Sequence, residues 1–342
     1  MLIFRSYFRI QMPTKLLNTS LLRSLTFFGM VMLGISQTGL AQQDPQLSLF
    51  HQNTIFLNPA FAGFQDKSLV QLHVRNQWTG YESSTDGNGS LGTTIVGASL
   101  PLGKWNTGLG IVYMSDKTPS GVSQQTIRLQ MAYHYPLGSG TLSVGLRAGL
   151  QSKSFDGRVY RVRDAGDPLI NTFSGKVVSE SIPDVGLGVV YAGSNWNVGL
   201  SADHLANAKY TFSDPSVSMP LAPVYAVHGM AELLLTTSFD LIPFAQVRYY
   251  SGRVLPEAGA RVEFRDMFWV GGSYRLNDAA IGMVGVSLLN NRLDLGYSLD
   301  YTMVNVAIKA PLTHEVFVRF VMPTMKMGTK GIPIKTPRFR IN

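Results

Sequence analysis

Not one cysteine occurs among the 342 residues, so the chain forms no disulfide and offers neither a thiol nucleophile nor a thiolate metal ligand. Charge is scarce too. Charged residues make up 15% of the sequence against 45% hydrophobic, an apolar balance for a soluble protein. Yet beyond the first 41 residues no run approaches the roughly 18 apolar residues of a membrane-spanning helix, because Gly, Ser, Arg or Asp interrupts each one. If a membrane is crossed, strands must cross it.

Catalytic spacing is equally sparse. The sequence contains no G-x-S-x-G elbow, no H-E-x-x-H and no G-x-x-x-x-G-K-[ST] loop. Six histidines stand at 51, 73, 134, 204, 228 and 314 without helical ligand spacing. Asp203-His204 is a close acid–imidazole pair at a strand end, and it reads as an ordinary polar strand end before it reads as a rim hydrolase. The expectation is a protein that is not an enzyme and takes no cofactor.

Residues 1–41 read as a signal peptide. Arg5, Arg9, Lys15 and Arg23 precede an apolar core from Leu25 to Ile35, and Gly39-Leu40-Ala41 offers a small-residue cleavage site. The formal charge of +8 suggests a polyanion partner until it is located. Of the 29 basic residues, four lie in this leader and five in the last twenty residues, leaving 20 against 21 acidic in between. A neutral body does not support nucleic-acid binding.

What is abundant is alternation. From Gln124 to Tyr135, Ile127, Leu129, Met131, Tyr133 and Tyr135 share one face of an extended chain, while Thr126, Arg128, Gln130 and His134 share the other. Fourteen such segments are expected, at 69–78, 91–101, 105–117, 124–136, 141–155, 181–191, 195–203, 223–236, 238–251, 258–264, 267–275, 280–288, 292–302 and 314–322. Most match the ~9–11 residues of a tilted strand crossing a bilayer, and an even count suits a bacterial single-chain barrel. Connections after even-numbered segments are all tight, whereas those at 79–90, 156–180, 204–222 and 303–313 are long. If the first strand runs outward, every tight turn and both termini fall in the periplasm. A soluble sandwich would have to pair the two faces into a core. Arg128, Arg147, Arg248, Arg275 and Arg319 on the second face suit a hydrated lumen better.

Trp105 and Trp196 follow tight turns with lipid-facing parity and Trp78 ends the first strand, as interfacial girdles require, while Trp269 takes the opposite parity from Val270 and Tyr274. Glycines such as Gly186, Gly188, Gly199, Gly271 and Gly285 lie within strands with no helix following. They indicate curvature and close packing against something in the lumen rather than a nucleotide loop.

Asp44-Pro45-Gln46-Leu47-Ser48-Leu49-Phe50, Leu57-Asn58-Pro59-Ala60-Phe61-Ala62-Gly63 and Val74-Arg75-Asn76-Gln77-Trp78 open the mature chain. Pro183-Asp184-Val185-Gly186-Leu187-Gly188, Gly199-Leu200-Ser201-Ala202-Asp203-His204-Leu205, Phe268 to Arg275, Leu295-Gly296-Tyr297-Ser298-Leu299-Asp300 and Thr313-His314-Glu315 follow. Together these resemble the PorP/SprF family over residues 44–322. The family commonly has Pro where this chain has Asp203, and many members end at the last strand. The resemblance implies a Bacteroidetes outer-membrane protein of the type IX secretion system, serving export or surface anchoring of a particular large adhesin-like protein, or linked to the gliding apparatus. The alternative is a FadL-like channel for hydrophobic small molecules.

Residues 42–68 are too apolar to dangle in water and show no strand period. Asn58-Pro59-Ala60 also resembles the N-terminal hatch of FadL-like fourteen-stranded transporters, which implies a plug. The fold expected is all-β: a transmembrane antiparallel barrel over 69–322, FadL-like, with residues 42–68 as plug and 323–342 as a basic periplasmic tail. Candidate plug and lumen residues are Asn58, Pro59, Phe61, Arg75, Asn76, Arg128, Arg147 and Asp300. Lys326, Lys330, Lys335, Arg338 and Arg340 are candidates for docking on periplasmic secretion or gliding components. The other expected partners are outer-membrane lipid and the secreted surface protein.

Overall fold

The computed structural model describes residues 44–64, 67–81, 91–118, 120–159, 175–212, 218–304 and 310–322. The expected leader and the basic tail lie outside them.

Branched and aromatic side chains alternating with polar ones favour extended backbone, since each fits a pleated surface with two different faces. The strands are β1 (Leu69–Gln77), β2 (Leu91–Leu102), β3 (Thr107–Lys117), β4 (Val122–Leu137), β5 (Gly140–Asp156), β6 (Val177–Ala192), β7 (Trp196–Asp203), β8 (Lys209–Tyr210), β9 (Met219–Pro220), β10 (Val224–Ala231), β11 (Leu233–Thr236), β12 (Phe239–Tyr250), β13 (Arg253–Phe264), β14 (Phe268–Arg275), β15 (Ala279–Leu288), β16 (Leu293–Thr302) and β17 (Leu312–Val321). All but β8 and β9 form one antiparallel sheet. β10 and β11 both pair with β12 as two pieces of a single position, giving fourteen positions as expected. β1 and β17 then close the ring, in register from Leu69↔Val321 to Asn76↔His314. Closure removes both sheet edges, which a bilayer does not tolerate.

Burial runs opposite to that of a soluble domain. On β4, Leu129 is 63% exposed while Arg128 on the other face is 2% exposed. Apolar residues point outward all round the ring and charged ones inward, as lipid outside and a polar lumen inside require. Trp105 and Trp196 are exposed next to tight turns, as read from the sequence. Trp269 turns inward and lies under the Arg261 guanidinium, 5.1 Å from its ring centre.

The ends of the barrel differ. Tight turns follow β2, β4, β6, β11, β13 and β15, and Arg265-Asp266 takes two left-handed conformations in a turn closed by the Met267 N–H on the Phe264 carbonyl. The opposite end carries the long connections. There β6 starts at Val177 rather than 181, and β13 at Arg253 rather than 258. The hairpin β8–β9 was not expected. It folds inward, packing Tyr210 and Phe212 on Ile182, and the Tyr210 hydroxyl donates to the Gln151 carbonyl.

Candidate functional site

Residues 44–64 lie among the inward-facing side chains. They include a one-turn helix, α1 (Thr54–Leu57), and a 3₁₀ turn at Pro59–Phe61. Asn58 separates the two. Its Oδ1 accepts the Ala60 N–H at 2.9 Å, with Pro59 in the first helical position, where a missing N–H costs nothing. Its Nδ2 donates to the Leu200 carbonyl at 2.9 Å and lies 3.1 Å from His228 Nε2. This one amide thereby ties the segment to β7 and β10.

Two ionic clusters hold the start of the segment. In the first, His204 donates from Nε2 to Asp44 (3.1 Å) and from Nδ1 to Asp184 (2.9 Å), and Arg128 Nε donates to Asp184 at 2.8 Å. A ring that donates from both nitrogens is an imidazolium. Burial opposes that charge, but Asp44 and the bonds to both carboxylates outweigh it and raise His204 to about 9. Burial likewise works against the Asp44 carboxylate, and His204, Arg128 and Arg248 overcome it, holding the group well below the usual carboxylate range.

In the second cluster, Glu315 accepts the backbone N–H groups of Ser48 (2.9 Å) and Leu49 (3.0 Å), bonds His73 at 2.9 Å and pairs with Arg75. Arg75 also reaches Asp300 at 3.1 Å. The Ser48 hydroxyl donates to Asp300 at 2.5 Å and accepts from Arg275, whose Nε pairs with Glu257 at 2.9 Å. Four charged side chains from four strands thus meet at one serine, with Glu257 of a fifth strand behind Arg275.

Further along, Arg147 donates to the Phe56 carbonyl at 3.0 Å and Gln130 to that of Ile55 at 3.0 Å. His134 Nε2 bonds the Ala62 carbonyl at 2.9 Å, and the Gly63 N–H donates to Ser99 at 2.6 Å. Leu49, Phe50, Ile55 and Phe61 pack with Ile95, Met114, Phe244, Ile281 and Phe317. His51 stacks on Phe244 at 4.1 Å. Glycines make the fit possible. A Cβ at Gly145 would overlap the backbone of Pro59 and Ala60, and one at Gly188 the Asn58 amide.

The sequence-predicted Asn58, Pro59, Phe61, Arg75, Arg128, Arg147 and Asp300 are therefore brought together around the segment. Asn76 is not. It shares the parity of Val70, Leu72 and Val74, opposite to Arg75, because side chains alternate faces along β1. Sequence reasoning gave no lumen role to Asp44, Ser48, Asp184, His204, Glu257 or Glu315. The signal was present, since each except Glu257 belongs to a motif quoted for the family resemblance. Asp203 and His204 are not partners of each other: Asp203 pairs with Arg147 at 2.5 Å, while His204 turns to Asp44 and Asp184. Among the described residues no group of His, Asp or Glu is arranged to hold a metal ion.

Residues 39–320 match the family described as "Type IX secretion system membrane protein PorP/SprF". No curated protein matches the chain. Similar solved structures include the CymD monoaromatic hydrocarbon channel (12% identity over 79% of this chain and 91% of that one, TM-score 0.44). The Pseudomonas putida toluene transporter TodX is similar at 10% identity over 78% and 91%, with a TM-score of 0.40. Acinetobacter baumannii Omp33 is similar at 8% identity over 75% and 99%, with a TM-score of 0.42.

Proposed function

Because the chain belongs to the PorP/SprF family of type IX secretion system membrane proteins, we propose that it works as an outer-membrane anchor for that system, and not as a conduit. Its service is secretion or surface attachment of one large adhesin-like protein, with gliding as a dependent role. Family and fold are of a non-enzymatic kind.

The observation that carries this reading is the convergence of charged lumen residues on residues 44–64, which supports reading that segment as a plug. Its bonds run to strands on all sides of the ring, and among the described residues a lumen cavity beside it, lined by Asp44, Asp203, Arg128 and Arg248, measures only about 30 Å³, enough for one or two waters. A channel for hydrophobic small molecules needs an apolar pocket of about 300 Å³ or more within the lumen, and the larger apolar hollow of about 890 Å³ lies instead on the lipid side of the wall, lined mostly by outward residues such as Val270, Tyr274, Val284 and Tyr297. With tight turns periplasmic, β1 runs outward and the long loops face the medium, where the secreted partner waits. The basic tail then leaves β17 on the cell side, where Lys326, Lys330, Lys335, Arg338 and Arg340 dock an acidic component of the machinery.

Mild detergent extraction of a tagged copy tests the reading. A large surface protein or secretion components should co-purify, and a barrel that repeatedly purifies alone refutes it. Truncation after Met322 tests the tail. Unchanged assembly, co-purification and surface display would rule out its docking role.

A further inference from the structure

The segment in the lumen has a direction. Asp44 meets His204, the residue that follows β7, and the carbonyl of Pro45 accepts from Arg248 at 3.1 Å, two residues before β12 ends; both positions lie at the long-loop end. Ile55 and Phe56 bond Gln130 and Arg147, near the middles of β4 and β5. Ala62 and Gly63 bond His134 and Ser99, each three residues from a tight turn. The chain then enters β1 at the tight-turn end, where the Met322 N–H donates to the Ser68 carbonyl at 2.8 Å. The described residues thus begin and end at opposite mouths, whereas the sequence reading placed both chain ends on one side.

The cleavage after Ala41 expected from the sequence leaves only Gln42 and Gln43 ahead of Asp44, and two extended residues reach about 7 Å. The apolar band of such a barrel is about 25 Å tall. A new N-terminus so close to Asp44 cannot return down a lumen that Phe50, Ile55 and Phe61 occupy. We propose that the start of the exported chain opens at the long-loop mouth, across the membrane from the C-terminal end, so that a component at the cell surface can hold or draw the segment by its free end. The opposite placement of the two ends is independent of the orientation proposed above; its assignment to the surface rests on that orientation.

The test uses two full-length copies in the native host, one with a short epitope between Gln43 and Asp44, the other with the same epitope after Met322. Antibody binding is compared on intact and permeabilised cells, with heat-modifiable migration as the check on assembly. The first epitope should be read on intact cells and the second only after permeabilisation. Both epitopes on one side, or the first unread in either state, overturns the inference. The inverse pattern keeps the ends opposite but overturns both the surface assignment and the proposed orientation. Should the insertion impair assembly, Gln43→Cys and a bulky impermeant maleimide give the same reading in a chain that has no other thiol.

Discussion

Glu315 is fully buried with two backbone N–H groups, an imidazole and a guanidinium around it. Glu315→Ala leaves Arg75 without its closest counter-charge, and removing one partner of a buried pair costs about 3–5 kcal/mol. The denaturant midpoint of the refolded barrel should fall, and protease should cut within residues 44–64. Glu315→Gln keeps the shape but not the charge and should recover only part of the loss. His204 acts through protonation. Its folded value of about 9 lies above the ordinary 6.5, so its contribution is complete below about pH 6.5 and disappears as pH rises through 9. Urea midpoints between pH 6 and 10 should therefore decline on the alkaline side, and His204→Gln should flatten that part of the profile. A profile identical to that of the unaltered chain would contradict the bridging role.

Elements meet where side chains are missing. Gly145 on β5 lies against the backbone of Pro59 and Ala60, and backbone cannot swing aside as a flexible side chain can. Gly145→Ala should leave the ring able to form but unseat the 3₁₀ turn, seen as faster proteolysis near Phe61 and a lower midpoint. Gly282→Ala is the control: nothing lies within 4 Å of its would-be Cβ, so its effect should stay within about 0.5 kcal/mol. The strands themselves were legible in the sequence because the period of two is written wherever lipid meets one face and the lumen the other. It failed where that contrast ends. The long-loop extension of β6 leaves the lipid, and β8–β9 is two residues per strand, too short to show a period. Arg128 and Arg147 could be read as inward, but their carboxylates, Asp184 and Asp203, lie 56 residues away in each case, and register alone brings them close. No local pattern shows that Asp203 and His204, adjacent in sequence, bond different partners.

At the scale of the molecule, a barrel with an outward apolar belt has almost nothing to gain from burying hydrophobic residues in its wall, since lipid already accepts them. Its specificity resides in the lumen, where a segment of some twenty residues gathers charge from around the ring. The pairing of β1 with β17 then bears on how the molecule is made. A closed hoop already crowded with arginines admits a chain end only by reptation past each ion pair, whereas an open sheet can curl around a chain already lying on it. The segment is in this sense the form on which the hoop is bent, and time of arrival matters as much as affinity. A peptide of residues 44–64 mixed with a truncated chain during refolding should restore protease resistance and the denaturant midpoint, and the same peptide added after closure should not. Equal rescue at both times would mean that the hoop reopens freely, and that what fixes the segment is equilibrium alone and not the order in which the ends of the sheet were joined.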